Sequence, residues 1–141
     1  MINQVNGVEA EEYVKSYFRS QGFIVHHIDD YYDIEIEKDS KRYLIEIKSC
    51  QFRIKDGKQR TRYGRFQFDK KSSRERQRTN NVWIVFVLNY SNGHEIIGVK
   101  SARALKQRCK FLNLNSLMNQ QVYHIDTFCS MLSTGRIKNS S

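Results

Sequence analysis

The sequence predicts an α/β domain, a central mixed β-sheet flanked by helices. Three observations carry that expectation. Residues 8–21 repeat apolar side chains at helical spacing. Two alternating runs flank a short polar segment between Tyr32 and Lys48. Val82 to Leu88 is an unbroken run of β-branched, aromatic and aliphatic residues. A helix, a hairpin and a strand that needs cover on both faces, followed by more helix and strand, sort into helices layered on a mixed sheet.

In the first segment Ala10, Tyr13, Val14, Tyr17 and Phe18 form one stripe, and Gly22 supplies a C-cap. Phe23 to Ile28 reads as a short strand. Tyr32 to Glu37 and Tyr43 to Lys48 alternate around Lys38-Asp39-Ser40-Lys41, which predicts a β-hairpin. Residues 50–64 carry Gly57, Gly64 and many charges, and read as a loop open to motion. Arg65 to Phe68 reads as a short strand. Lys70 to Thr79 is polar on every side but free of Gly and Pro, so an exposed helix is expected there. After the strand at Val82–Leu88, the turn at Ser91-Asn92-Gly93 leads into a strand at Glu95–Val99, and Ser101 is placed to cap a helix over 102–110. Residues 133–141 read as a frayed tail, which leaves one domain over 1–132.

Composition narrows the class. The 141 residues are 39% hydrophobic, 12% aromatic and 28% charged, a globular profile. No apolar run reaches the roughly 20 residues that span a bilayer. The segment MINQVNGVEAEE lacks the basic flank and apolar stretch of a secretory signal. A cytoplasmic protein is expected, with no membrane partner. Cys50, Cys109 and Cys129 are widely spaced with no CxxC pair, and read as reduced, buried thiols. His26 and His27 are strand neighbours that point to opposite faces and do not chelate one ion together. His94 and His124 stand alone.

The net charge of +9 is unevenly spread. The first 50 residues hold ten acids against six bases, whereas residues 51–78 hold eleven Lys and Arg against three acids. The basic residues of that segment are Arg53, Lys55, Lys58, Arg60, Arg62, Arg65, Lys70, Lys71, Arg74, Arg76 and Arg78. Phe52, Tyr63, Phe66 and Phe68 are interleaved with them, which a disordered basic tail would lack. A polyanion is the natural partner, because each cation placed on a phosphate releases condensed counterions. A solvated basic surface is the blander alternative.

The hairpin can be indexed. With Asp39-Ser40 as the two-residue turn, Glu37 faces Arg42 and Asp33 faces Glu46, about 5 Å apart at Cβ. Ile34, Ile36, Tyr43, Ile45 and Ile47 then share the core face, and Asp33, Glu35, Glu37, Arg42, Leu44, Glu46 and Lys48 share the other. Facing carboxylates repel unless a cation lies between them, and a hard divalent ion such as Mg²⁺ suits oxygen ligands. Lys48 sits two positions beyond Glu46 on the same face. Glu11 lies about 20° from Phe18 on the helical wheel, at the margin of the apolar stripe. Taken singly, Glu11 also fits a first-turn acid favoured by the helix dipole, and Glu46-x-Lys48 also fits a solvated salt bridge.

The succession G-V-E-A-E-E (7–12), Q-G-F-I-V (21–25), Y-D-I-E-I-E (32–37) and L-I-E-I-K-S (44–49) resembles the PD-(D/E)xK nuclease superfamily. Within it the likeness is to compact archaeal Holliday-junction resolvases and restriction-endonuclease-like nucleases. The match spans about the first 50 residues, and the later G-R-F-x-F and V-W-I-V-F-V-L stretches fit loosely. The resemblance implies a restriction-endonuclease-like core and Mg²⁺-dependent cleavage of DNA, with Mn²⁺ able to substitute. It implies Asp33, Glu46 and the main-chain carbonyl of Ile47 as metal ligands, Lys48 as the catalytic lysine and Glu11 as the helix acid. Tyr32 stands where many members carry proline, and Gln67 and Gln77 are the candidates for a later core glutamine. Cutting two strands at once calls for a homodimer with twofold symmetry. Two other readings stand beside this one, a non-catalytic nucleic-acid-binding module on the same fold and a small RNA- or ribosome-associated basic protein.

Overall fold

The hairpin sets the register of the sheet. In the computed structural model, which describes residues 2–56, 60–68, 71–106 and 110–137, β2 (Ile34–Lys38) and β3 (Lys41–Gln51) pair antiparallel. Ile34 lies opposite Ile45, Ile36 opposite Tyr43 and Lys38 opposite Lys41, as the alternation predicts. Asp39 and Ser40 both take left-handed backbone conformations, with φ of 53° and 64°. That is the type I′ geometry whose twist matches the flanking strands.

The rest of the sheet is built outward from this pair. β1 (Ile24–His27) joins the outer edge of β2 antiparallel. β7 (Trp83–Tyr90) lies parallel to β3, and β8 (Gly93–Ser101) closes the other edge antiparallel. Among the described residues this gives one five-stranded mixed sheet in the order β1-β2-β3-β7-β8. The parallel step from β3 to β7 needs a long crossover. It contains β4 (Arg53–Asp56), β5 (Arg60–Tyr63), β6 (Arg65–Gln67) and α2 (Lys71–Thr79).

Both faces of the central strands are covered. Tyr43 and Ile45 of β3 and Val85 and Val87 of β7 pack with Val14 and Phe18 of α1 (Ile2–Ser20) and with Phe128 and Leu132 of α4 (Ile125–Ser133). Leu44, Ile84, Phe86 and Leu88 face a second cluster. It contains Phe66 of β6, Leu112 of β9 (Phe111–Asn113) and Leu117 of α3 (Leu114–Met118). The double cover explains the continuous apolar run of β7. It also means that the polar face of the hairpin is not solvated where it meets β7: Leu44 and Glu46 are only 8% and 9% exposed.

Several expectations need correction. The first helix begins at Ile2, before the apolar stripe, and ends at Ser20, just before the expected closing glycine, Gly22, whose φ is 91°. Residues 50–64, read as a loop, include the β4–β5 hairpin, with Arg53 opposite Tyr63 and Asp56 opposite Arg60. This pairing has no apolar face to betray it. Its base is marked by the contact of the Phe52 and Tyr63 rings, 5.5 Å between centroids. No helix is seen over 102–110 among the described residues. Ser101 does cap one turn, its carbonyl accepting from Ala104 N and Leu105 N and its hydroxyl from Arg103 N. The Gln120 side chain then brackets Lys106, accepting from its N–H at 3.0 Å and donating to its carbonyl at 2.8 Å. Those are backbone groups a continuing helix would engage itself. Residues 107–109, with Cys109, lie outside the described residues.

The tail expected from 133 is held further than that. α4 ends at Ser133, Arg136 N bonds to Met131 O at 3.0 Å, and Ile137 is 9% exposed within the α1 cluster. Residues 138–141 lie outside the described residues. Cys50 and Cys129 are free and buried, and burial pushes their thiols up to about 12 and about 11, so neither is a ready nucleophile. No helix among the described residues is long and apolar enough to cross a membrane.

Two substitutions of opposite sign test this architecture. Ser40→Gly relieves a left-handed residue and is expected to stabilise the fold by about 0.5–1 kcal/mol. Gly64 donates its N–H to Gln51 O at 3.1 Å, and a Cβ there would meet that oxygen at 2.1 Å. Gly64→Ala is therefore expected to destabilise by roughly 2–3 kcal/mol. Urea unfolding of both variants checks the signs.

Candidate active site

Asp33 lies at the point where the hairpin opens. Its backbone still belongs to the ladder, its N–H donating to Ile45 O at 3.0 Å and its carbonyl accepting from Ile28 N at 2.9 Å. Its side chain takes over where the backbone ladder stops: Oδ2 accepts the Ile47 N–H at 2.7 Å. This bond pins one carboxylate oxygen beside β3, next to Glu46.

Glu46 is buried on the sheet face opposite α1. Its carboxyl is in hydrogen-bond contact with Asp33. Its Oε2 lies 3.2 Å from Gln77 Nε2 and 3.5 Å from Lys48 Nζ. Gln77 points inward from α2, is 4% exposed, and also donates to the Tyr31 carbonyl at 2.7 Å. Lys48 is held by the Gln67 carbonyl at 2.8 Å, with its ammonium 4.7 Å from the centroid of the Phe68 ring. Asp33, Glu46, Lys48 and Gln77 thus form one connected group, drawn from the start of β2, from β3 and from α2.

Burial, then the charge of Asp33 and the hydrogen bond to it, drive the Glu46 carboxyl up to about 9, against the smaller opposing pull of Lys48 and Gln77. Without further positive charge the two acids cannot both ionise at little cost, and one retains a proton. The donor set is hard oxygen from two carboxyls, with main-chain oxygens nearby. It fits a small divalent cation taking the place of that proton.

Glu11 is placed differently. It lines an open depression with Asp33, Ile47, Ser49, Gly7 and Val8 on the α1 side of the sheet. Its Oε1 lies 3.5 Å from Lys15 Nζ and 3.4 Å from His27 Nδ1, and has no hydrogen-bond partner although buried. Glu11 therefore neighbours Asp33 but does not join Glu46. Among the described residues no three His, Cys, Asp or Glu side chains converge on one point suited to a metal.

The basic segment is dispersed around the site. Arg53 stands at the base of the β4–β5 hairpin, with Phe52 and Tyr63 as ring neighbours. Lys55, Arg60 and Arg62 occupy the backbone of β4 and β5. Arg65 is exposed on β6, its guanidinium 4.5 Å from the Phe111 ring. Lys71, Arg74, Arg76 and Arg78 lie on α2. Arg76 pairs with Asp30 at 3.5 Å and lies 4.1 Å from the Tyr31 ring. Lys58 and Lys70 lie outside the described residues. The amide of Gln77, not that of Gln67, reaches Glu46, and Gln67 contributes its carbonyl to Lys48 instead. The roles of Tyr31 and Phe68 had no signal in the pattern, because one acts through its carbonyl and the other through its ring face.

The elevated Glu46 carboxyl has a measurable consequence. An acid whose folded pKa exceeds its unfolded value keeps its proton in the folded state while the unfolded chain releases it. Stability then falls as pH rises from about 4.5 toward about 9. In chelator, Glu46→Gln is expected to lack this fall, so its advantage in melting temperature over the wild type widens across that window. Heat scans near pH 5, 7 and 9 check it, and parallel curves for the two proteins would refute it.

Comparison with known proteins gives a structural match without a sequence match. No protein-family profile matches the chain, and no curated protein matches it in sequence. Among solved structures the chain is similar to Hjc of Archaeoglobus fulgidus, a Holliday junction resolvase from an archaeal hyperthermophile. The TM-score is 0.55 at 11% identity, over 88% of this chain and 95% of that one. At that identity the likeness is one of fold: a mixed five-stranded sheet flanked by helices, arranged as in that resolvase.

Proposed function

We propose that the chain is a divalent-metal-dependent endonuclease that hydrolyses phosphodiester bonds in DNA, with branched or junction DNA as substrate. The observation that carries this reading is the pair of Asp33 with the buried Glu46, whose carboxyl lies 3.5 Å from the Lys48 ammonium, at the open end of the hairpin. A protein that only bound nucleic acid would have no use for two acids beside a phosphate. The fold shared with a Holliday junction resolvase supports the choice of substrate class.

Asp33, Glu46 and the Ile47 carbonyl would hold Mg²⁺, or Mn²⁺ in its place. When bound, that ion supplies charge neutralisation at the phosphoryl oxygens and acidifies water. The chain's own groups do the rest. The Ile47 N–H fixes Asp33 and the Gln77 amide fixes Glu46, so the ligands are oriented before substrate arrives. Lys48 holds its ammonium on the Glu46 face, where it orients the attacking water and stabilises negative charge on the oxygens of the pentavalent transition state. Glu11 would bind the ion through water from the α1 side, or hold a second ion. Cations of residues 53–78 hold flanking phosphates and set register without reading bases. A twofold-symmetric homodimer would present two such sites to two strands.

Cleavage of branched, duplex and single-stranded DNA in Mg²⁺ tests the reading. Asp33→Ala and Glu46→Ala are each expected to reduce cleavage below a few per cent while folding and metal-free DNA binding persist. Lys48→Ala is expected to slow the single-turnover rate by several orders of magnitude at nearly unchanged affinity. A wild-type protein that binds these DNAs but cuts none in Mg²⁺ or Mn²⁺ would leave a binding module.

The arginines separate positioning from chemistry. Replacing Arg60, Arg62 and Arg65 together by alanine is expected to weaken binding uniformly across sequences. The salt slope should drop by about one for each phosphate that is no longer neutralised. The rate at saturating DNA should barely change. Affinity and slope equal to wild type would make this segment a solvated surface.

A further inference from the structure

A cleft of about 720 Å³ opens where β3 and β7 end, between Gln51-Phe52-Arg53 and the turn Asn89–His94. Neither the acids nor Lys48 lines it. One wall is aromatic. Phe52 and Tyr90 form it, their ring centroids 5.2 Å apart and planes inclined by 44°, and Tyr63, beside the cleft, extends the row with its centroid 5.5 Å from that of Phe52 and an inclination of 50°. Tyr63 and Tyr90 are 41% and 36% exposed. The Arg53 guanidinium lies 5.7 Å from the Phe52 ring and 5.5 Å from the Tyr63 ring. On the α1 side stand His94, held by Asn89 at 2.7 Å, and Glu9, 3.7 Å from His94 Nε2. The cleft is therefore anionic on one side and cationic on the other.

The location matters as much as the chemistry. Phe52 packs against the cluster that holds Leu44 and Cys50, and Tyr90 continues the Phe86–Leu88 face of β7. That is the sheet face on which Glu46 and Lys48 stand. Phe52 is four residues beyond Lys48 in the chain. At strand rise this is about 13 Å, the length of about four stacked nucleotides.

Within a duplex each base face is covered by its neighbours, so a protein ring reaches one only where a strand is unpaired. Exposed rings flanked by an arginine are the usual means of holding single strands, the ring taking the base and the cation its phosphate. We infer that Phe52, Tyr63 and Tyr90, with Arg53, form a stacking platform for unpaired bases. The DNA acted on at Asp33 and Glu46 then carries a single-stranded segment about four nucleotides from the cut. The link to cutting rests on the nuclease reading proposed for Asp33, Glu46 and Lys48, whereas the platform itself does not. Phosphates would follow the Arg53 side of the cleft, away from Glu9.

The test uses metal-free binding, so it is independent of cleavage. A single strand, a forked duplex with one single-stranded arm and a blunt duplex of equal length are titrated with the wild type, with Tyr63→Leu/Tyr90→Leu and with Tyr63→Phe/Tyr90→Phe. Leucine keeps apolar bulk but removes the rings. It is expected to weaken binding to the single strand and the fork about tenfold or more, and to the blunt duplex less than about twofold. Phenylalanine should restore wild-type affinity. With wild-type protein alone, 2-aminopurine moved along the single-stranded arm should be quenched strongly at one position and little at the others. This readout stands even if the leucine variant does not fold. Equal losses on all three DNAs, no loss on any, or no position-dependent quenching would overturn the platform. If binding behaves as expected but the wild type cuts nothing in Mg²⁺, the platform stands and the nuclease reading falls. Cleavage without ring-dependent binding would leave the nuclease reading in place and remove the platform.

Discussion

The bond from Ile47 N–H to Asp33 Oδ2 is the contact around which the rest of the site is arranged. A hairpin that simply continued would satisfy Ile47 with backbone and send Asp33 into solvent. Here the ladder ends at Asp33, and the side chain substitutes for the missing carbonyl. β3 is then released to run on beside β7, and its polar face enters the second cluster. The carboxylate becomes part of the backbone hydrogen-bond inventory, which fixes its orientation more firmly than side-chain packing alone.

A second constraint follows from burying Glu46 beside that carboxylate. Two acids in a partly dry site are tolerable only if a proton, a cation or fixed dipoles compensate them. The chain supplies the last two in modest amounts, through Lys48 and the Gln77 amide. α2 is therefore more than a basic surface. Its inward amide braces Glu46 and the Tyr31 carbonyl together, and Arg76 on the same helix clasps Asp30 and Tyr31. The loop that delivers Asp33 is tied to the helix that delivers Gln77.

Much of this was legible in the sequence, for identifiable reasons. A period of two and a two-residue turn leave one register, so the opposition of Asp33 and Glu46 could be counted from Asp39-Ser40. The cover on both faces of β7 followed from its unbroken apolar run. What was hidden depends on contacts distant in the chain. The hairpin's polar face reads as solvated until β6, β9 and α3 are known to lie over it. Gln77 could be named only alongside Gln67, because its helix has no apolar stripe to show which side faces inward. The wheel gave Glu11 the right azimuth but not its partners, Lys15 and His27. The β4–β5 sequences show no apolar alternation, and the turn after Ser101 is decided by Gln120, which lies far along the chain.

The parallel pairing of β3 with β7 has a consequence for the order in which the protein folds. A two-residue hairpin closes within microseconds. The crossover must bring residues more than thirty positions apart into register, a slower event because loop-closure entropy is lost before contacts return it. Asp33 and Glu46 are therefore neighbours early, while Gln77 and the Gln67 carbonyl that holds Lys48 arrive only when the crossover docks. A nascent or partly unfolded chain carries the acids without their brace. Assembly of the complete site is thereby tied to completion of the fold.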